Sequence, residues 1–241
     1  MRSIKKTARI TGILLLIMVI VGPFSMMYVP SQIIVPGDAA ATVQNIMDSG
    51  SLFNMGIVGH LIILLADLGV AVLLYVLLKP VSRILALVAA SLRMIMVAMR
   101  GINLVNYFIV ILLLNGSVSP ANLGTDQLHA LVMIFLQAFE YGVNLDFVFF
   151  SFHLLFVGYL VFRSGYFPKI LGILLIIAFF GYLVNSLAAL FFPGYKATVN
   201  TIVTIPNAIA ELALMLWLLI KGVNVEKWEE RAGESARQLI V

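Results

Sequence analysis

The sequence predicts an all-α fold, a polytopic membrane protein in which six transmembrane helices form a bundle. Composition is the first reason, because 62% of the 241 residues are hydrophobic and only 11% are charged. Soluble domains average about 45–50% apolar and about 25% charged residues. The second reason is that the apolar residues fall into six runs, each near or above the roughly 20 residues that a helix needs to cross a bilayer.

Each run ends at charged or turn-forming residues. The first is read as a retained span, because no small-residue cleavage site follows its basic start. Residues 36–50, after it, resemble a short surface helix with Asp38 as its N-cap. The fourth run would measure roughly 54 Å as a helix against a bilayer core of about 30 Å, so we expect it to protrude, tilt or break, with the break at Tyr141 and Gly142. The predicted spans are residues 8–29, 53–78, 83–114, 127–162, 170–192 and 202–220, within a membrane domain of residues 1–222 that precedes a charged tail of residues 223–241.

Lysine and arginine residues predict the orientation of these spans. With six crossings, twelve of the fifteen lie on one side, whereas the opposite loops hold only Lys196. Because cytoplasmic loops are enriched in basic residues, we predict a multi-pass protein of the cell membrane with both termini in the cytoplasm. The same residues account for the formal charge of +4, so the expected partner is the lipid bilayer rather than nucleic acid.

The sequence gives little support for a cofactor. It contains no cysteine, which excludes disulfides and thiolate metal sites. A metal site drawn from the histidines and carboxylates of the spans lacks an HxxxH or HExxH pair, and haem held by two histidines on different helices has weaker support still. Since no lysine lies within a span, retinal is disfavoured. We therefore expect neither a metal nor another cofactor.

Ionisable residues inside the spans are the candidates for function. Each costs at least about 2.5–3.5 kcal/mol in the membrane if it is left unpaired, so we expect these side chains to face one another or water. Several are seven residues apart and therefore share one helix face. The candidates for ligand or proton binding are Asp67, Arg93, His153, Glu211, Arg100, Asp146, His60 and Asn207.

Helix rise predicts two layers for these groups. Asp67, Arg93, His153 and Glu211 fall near the midplane, and the other candidates fall in the outer half. We expect Arg93 to pair with Asp67 or with Glu211, and Arg100 to pair with Asp146. The polar interior is thus predicted to open outward and to close toward the cytoplasm. Nearby aromatic residues such as Phe147 and Phe150 are read as packing and lipid-facing surface, and Gly158, Gly165, Gly172 and Gly181 as close helix contacts and turns.

Several segments are distinctive enough to compare with known families. Residues 158–175, GYLVFRSGYFPKILGILL, are the clearest, and they are joined by KKTARITGILLL, VPGDAAATVQNI, LYVLLKPV and IPNAIAELALMLWLLIKGV. Together they resemble an uncharacterised prokaryotic family of integral membrane proteins, domain of unknown function (DUF) family 4386. The resemblance covers residues 5–223 and implies a multi-span helical membrane protein but no activity. It also implies family counterparts of Asp67, Arg93, His153 and Glu211, whereas Glu140 and Asp146 are particular to this chain.

Three classes of function remain open. The first is binding or transport of a small molecule or ion, coupled to protons, through the midplane charges. The second is an intramembrane enzyme acting on a lipid or small apolar substrate held in the core, with His153 and the carboxylates as acid–base groups. The third is a non-catalytic sensor, immunity or assembly protein whose charges are structural. The sequence favours the first.

Overall fold

The computed structural model describes residues 2–116 and 124–238, and these residues form helices without any strand. The loop residues 117–123 lie outside the described part of the chain. The α-helices are α1 (Arg2–Pro23), α2 (Val29–Ile33), α3 (Ala39–Asp48), α4 (Gly50–Leu78), α5 (Arg83–Asn103), α6 (Val105–Leu114), α7 (Thr125–Ser164), α8 (Lys169–Phe191), α9 (Lys196–Ile220) and α10 (Val225–Gln238).

Six helical segments are long and apolar enough to cross a membrane, as predicted. They are Ser3–Ile33, Gly50–Leu78, Arg83–Leu114, Thr125–Ser164, Lys169–Phe191 and Pro193–Ile220. The first is longer than expected, because the chain continues past Pro23 through a π-helical turn, Phe24–Tyr28, into α2. The fold is therefore that of a multi-pass helical membrane protein.

The predicted surface helix after the first span is α3. The Asp38 carboxylate accepts a hydrogen bond from the Ala41 backbone N–H at 2.9 Å. This bond satisfies one of the free donors at the helix N-terminus, and it confirms Asp38 as the N-cap.

Of the three alternatives for the fourth span, the break at Tyr141 and Gly142 is wrong, because α7 is continuous from Thr125 to Ser164. Gly142 has a different role, since a Cβ at this position would overlap the side-chain amide of Asn103. That amide donates a hydrogen bond to the Phe139 carbonyl at 2.7 Å. The glycine therefore admits a neighbouring side chain to the helix backbone, and the hydrogen-bonded helix runs on past it.

The chain divides into two compact units. The first unit contains residues 1–17, 66–97 and 144–241, and the second contains residues 18–65 and 98–143. Four helices, α1, α4, α5 and α7, contribute residues to both units. All four midplane candidates, Asp67, Arg93, His153 and Glu211, belong to the first unit.

Close backbone contact joins α7 to α8 in the first unit. A Cβ on Gly158 would lie 2.9 Å from the Gly172 carbonyl oxygen, and a Cβ on Gly172 would lie 2.6 Å from the Gly158 carbonyl oxygen. Only glycine allows this approach. Gly165, midway between them, has a φ of 76° in the turn. The predicted role of these glycines in helix contact and in the turn is confirmed.

The turn between α7 and α8 is tied to the end of α4. The Tyr166 hydroxyl donates to the Leu77 carbonyl at 2.8 Å, and the Trp228 Nε1–H of α10 donates to the same oxygen at 2.9 Å. Burial raises the pKa of the Tyr166 phenol above its ordinary value. Helix α10, in the segment that the sequence predicted as a charged tail, is thus anchored to the end of α4.

Candidate functional site

A buried ion pair in the first unit joins α4 to α5. Arg93 donates from Nε to Asp67 Oδ1 at 2.9 Å and from Nη2 to the same oxygen at 2.5 Å. The exposed fractions of Arg93 and Asp67 are only 3% and 1%. This pair is one of the two that the sequence predicted for Arg93.

His153 of α7 completes the cluster with both of its ring nitrogens. Arg93 Nη1 donates to His153 Nε2 at 3.0 Å, and His153 Nδ1 lies 2.8 Å from the Ala89 carbonyl oxygen. Because a guanidinium has no acceptor atom, Nε2 must accept and Nδ1 must carry the hydrogen. The network therefore holds His153 as a neutral imidazole in one tautomer and one orientation.

Phe150 belongs to this cluster, although the sequence suggested a packing or lipid-facing role. Its ring is buried, lies 5.4 Å from the Arg93 guanidinium carbon and stacks on the His153 ring at 5.8 Å. A cation over an aromatic face is attracted by the ring quadrupole. The spacing of three residues between Phe150 and His153, which puts both on one helix face, was the available signal.

A second hydrogen-bonded pair connects α8 to α9. The Tyr182 hydroxyl donates a short hydrogen bond to Glu211 Oε1, and both side chains are half-buried. Glu211 also lies within electrostatic reach of Arg93 and Asp67. Tyr182 meets Phe150 edge-on at 5.2 Å and stacks on Phe147 at 5.3 Å. Sequence reasoning missed Tyr182, because a tyrosine in an apolar span carries no charge to single it out.

Asn207 lies one turn before Glu211 on α9 and is buried against α8. A Cβ on Gly181 would overlap the Asn207 carboxamide, so the glycine makes room for the amide. Asn185 is one turn after Gly181 on α8, and the same helix face therefore carries it.

Three buried acceptor oxygens of this unit have no hydrogen-bond partner among the described residues. They are Asp67 Oδ2, Asn185 Oδ1 and Asn207 Oδ1. A buried polar atom without a partner costs about 1–3 kcal/mol, and native structures contain few of them. These three oxygens are the buried side-chain acceptors of the first unit for which the described residues provide no donor.

The remaining candidates are also buried, as expected for charged groups that avoid lipid. Asp146 lies in the first unit and Arg100 in the second. His60, in the second unit, meets the rings of Tyr107 at 6.0 Å and Phe139 at 5.1 Å. Neither ring nitrogen of His60 has a hydrogen-bond partner in the part of the chain that the structure describes. The described residues also contain no group of three or more His, Asp or Glu side chains suited to a metal ion.

Comparison with known proteins places the chain in a family. The family model described as "Domain of unknown function (DUF4386)" matches residues 10–222. The chain belongs to this family. An "Uncharacterized protein" of Archaeoglobus fulgidus is 32% identical over 166 residues, which cover 69% of this chain and 83% of that protein. No solved structure matches the chain.

The matched region contains every residue of the cluster and the segment by which the sequence resembled the family. Within that segment, Gly158 and Gly172 make the backbone contact between α7 and α8, and Tyr166 fixes the turn between these helices. The distinctive family segment of this member is therefore a packing and turn element. Of the cluster, Phe150 and His153 lie on α7 before this segment, whereas Asp67 and Arg93 lie on α4 and α5.

Proposed function

We propose that the protein binds a small molecule or ion in the polar interior of its first unit and carries it across the cell membrane in a proton-coupled manner. The observation that supports this most is the Tyr182–Glu211 hydrogen bond beside the Asp67–Arg93 ion pair. In this proposal, Glu211 is the group that gains and loses the proton. The Asp67–Arg93–His153 network is the fixed part that orients the ligand.

Charge balance singles out Glu211. Among the candidate residues, the buried or half-buried carboxylates outnumber the guanidiniums by three to two, and the half-buried Lys196 lies apart from them at the first residue of α9. The carboxylates are Asp67, Asp146 and Glu211, and the guanidiniums are those of Arg93 and Arg100. An unbalanced charge is costly in a membrane. One further positive charge, from a proton or a ligand, therefore balances the set.

The network around His153 supports transport over catalysis. A general base needs a nitrogen that can reach a proton of the substrate, yet both nitrogens of His153 are engaged, one by Arg93 and one by the Ala89 carbonyl. Glu211 differs, because it is half-buried and its one described hydrogen bond comes from an uncharged tyrosine. The three buried oxygens without a hydrogen-bond partner among the described residues also favour a ligand site. In a purely structural core, every buried polar atom would be expected to have a partner.

Orientation forms part of the proposal. We place both termini in the cytoplasm, because cytoplasmic segments are enriched in basic residues. Such residues lie at the chain termini, at the ends of the second and fourth spans and in α10. With that orientation, the polar groups lie from the midplane to the outer half of the membrane. The ligand would then enter from outside, through an outward-open polar cavity.

Proteoliposomes that enclose a pH-sensitive dye provide the test. Small organic cations, metal cations, carboxylates and uncharged polyols are added outside in turn, and the internal pH is followed. We expect one class to change the internal pH with the wild-type protein, Glu211→Gln to abolish that change, and Glu230→Gln, in the exposed part of α10, to preserve it. An internal pH that responds to no class, or that responds equally in Glu211→Gln, contradicts the proposal.

A further inference from the structure

We infer that the ligand of this site is an organic ammonium ion, and that it binds in exchange for a proton on Glu211. The inference rests on the proposed function and adds the chemical class of the ligand. The ammonium head would bind along an acceptor row, defined as Asn185 Oδ1, Asn207 Oδ1, the Glu211 carboxylate and Asp67 Oδ2.

The hydrogen-bonding atoms of the acceptor row are all oxygens that require donors. Asp67 Oδ2, Asn185 Oδ1 and Asn207 Oδ1 are buried without partners among the described residues. A primary ammonium ion has three N–H donors and no acceptor, so it complements such a row. A carboxylate or phosphate ligand would leave these oxygens unsatisfied and add negative charge beside Glu211.

Three members of the row, Asn185, Asn207 and Glu211, lie on the two helices of the α8–α9 interface, whereas Asp67 lies on α4. Gly181 receives the Asn207 carboxamide, while Asn185 on α8 and Glu211 on α9 each lie one helical turn, about 5–6 Å, from that contact. Tyr182, next to Gly181, donates to Glu211. An ammonium head in this interface can therefore reach a neutral carboxamide oxygen and the carboxylate in adjacent turns.

Aromatic rings beside Glu211 suit an organic cation better than a bare metal ion. The rings of Phe147, Phe150 and Tyr182 form a cluster with centroid separations of 6.0, 5.3 and 5.2 Å. Aromatic faces attract ammonium groups, and ring edges and faces also provide apolar surface for a hydrocarbon body. Hard metal ions instead favour a shell of about six oxygens, more than the row supplies.

The charges around Glu211 make ammonium and proton competitors. Tyr182 from α8 is uncharged, Arg93 from α5 is already bonded to Asp67 from α4, and His153 from α7 is neutral in its network. Asp146 is a further buried carboxylate of the same unit. Binding therefore exchanges one positive charge for another: the ammonium ion enters, the Glu211 carboxyl becomes a carboxylate, and one proton leaves to solvent.

Calorimetric titration of the purified protein in detergent tests this exchange with n-butylammonium as the probe. Two buffers of different ionisation enthalpy give the number of protons released. We expect saturable binding with release of about one proton per ligand bound. Three control compounds should each bind at least about tenfold more weakly. They are n-butanol, which is uncharged, tetramethylammonium, which has the charge but no N–H donor, and sodium ion.

Variants of the acceptor row test its placement. Asn207→Ala and Asn185→Ala should each weaken n-butylammonium binding about tenfold or more, because each removes an acceptor oxygen that has no partner in the described structure. Asn200→Ala is the matched control, since Asn200 is exposed on the same helix, α9, and it should bind n-butylammonium as the wild type does.

Three results would overturn the inference. They are equal binding of tetramethylammonium or n-butanol, binding of n-butylammonium without proton release, and unchanged affinity in both asparagine variants. Failure of n-butylammonium to bind, together with a Glu211-dependent pH response to another class of compound in proteoliposomes, would overturn the ammonium assignment and leave the proposed function standing.

Discussion

Arg93 directs two of its nitrogens, at 2.9 and 2.5 Å, to a single oxygen of Asp67. The second oxygen of this carboxylate is buried without a partner among the described residues. The pair thus neutralises charge, yet it leaves one strong acceptor unused. A pair that served stability alone would be expected to satisfy both oxygens.

Removing one member of this pair should be costly. Asp67→Asn leaves the Arg93 guanidinium without its carboxylate in a buried site, so we expect the free energy of unfolding to fall by about 3–5 kcal/mol. The Asp67→Asn, Arg93→Gln double variant should lose less than the sum of the two single losses. Unfolding in mixed micelles of increasing denaturing-detergent content measures each value.

The surface pair Arg231–Glu234 is the matched control for this cycle. Its side chains are 40% and 53% exposed and lie 3.0 Å apart, so its removal should cost about 1 kcal/mol or less. Strictly additive losses at Asp67 and Arg93 would show that the two charges are not coupled.

The two buried histidines should respond differently to replacement by an apolar residue. His153→Leu removes two buried hydrogen bonds, so we expect the free energy of unfolding to fall by about 2–4 kcal/mol. His60→Leu removes nitrogens that have no partner among the described residues, and it should be near neutral or stabilising. Equal losses in the same micelle titration would contradict the hydrogen-bond assignments.

The sequence predicted much of the architecture because its signals are local. Apolar run length gave the six spans, and Asp38 before an alanine run gave the N-cap. Gly142 was misread, since a glycine can mark either a break or a close contact, and only the position of Asn103 distinguishes them.

The site was predictable in part for a different reason. Because a charged side chain inside the membrane needs a partner, the ion pair between Asp67 and Arg93 could be predicted from the sequence. Phe150 and Tyr182 are ordinary residues of apolar helices, and their roles depend on which helices meet. Asn207 shared a face with Glu211 in the sequence and Gly181 was predicted as a close helix contact, but that the two meet was assignable only from the packing of α8 on α9.

The glycine contact between α7 and α8 gives a third prediction. Gly158→Ala or Gly172→Ala places a Cβ within 3.0 Å of a backbone oxygen of the other helix, so we expect a loss of about 1–3 kcal/mol. Gly22→Ala is the control, because a Cβ there meets nothing within 4 Å, and in a helix it should stabilise by about 0.5–1 kcal/mol. Melting temperatures in detergent should move in opposite directions, and parallel shifts would contradict the contact.

A fourth prediction concerns the two hydrogen bonds that the Leu77 carbonyl accepts. Tyr166→Phe and Trp228→Phe each remove one hydrogen bond to the same oxygen, so each should cost about 1 kcal/mol. Because the remaining donor still satisfies the carbonyl, the double variant should lose more than the sum. Unfolding titrations of both single variants and the double variant measure this coupling, and simple additivity would argue against a shared acceptor.

The Tyr166 contribution also has a pH dependence. Burial raises the pKa of this phenol in the folded protein, so the stabilisation is fully present below pH about 10 and is lost as the pH rises above that value. Tyr166→Phe should reduce the alkaline loss of stability. A Tyr166→Phe profile identical to that of the wild type would contradict burial of this hydroxyl.

The central claim is that Glu211 carries the exchangeable proton, and infrared spectroscopy of the protein in lipid bilayers tests it most directly. The account predicts a carbonyl-stretching band from a protonated carboxyl group that disappears in Glu211→Gln, persists in the tail variant Glu230→Gln, and weakens in the wild type as the pH is raised. A wild-type spectrum that Glu211→Gln leaves unchanged at every pH would contradict it.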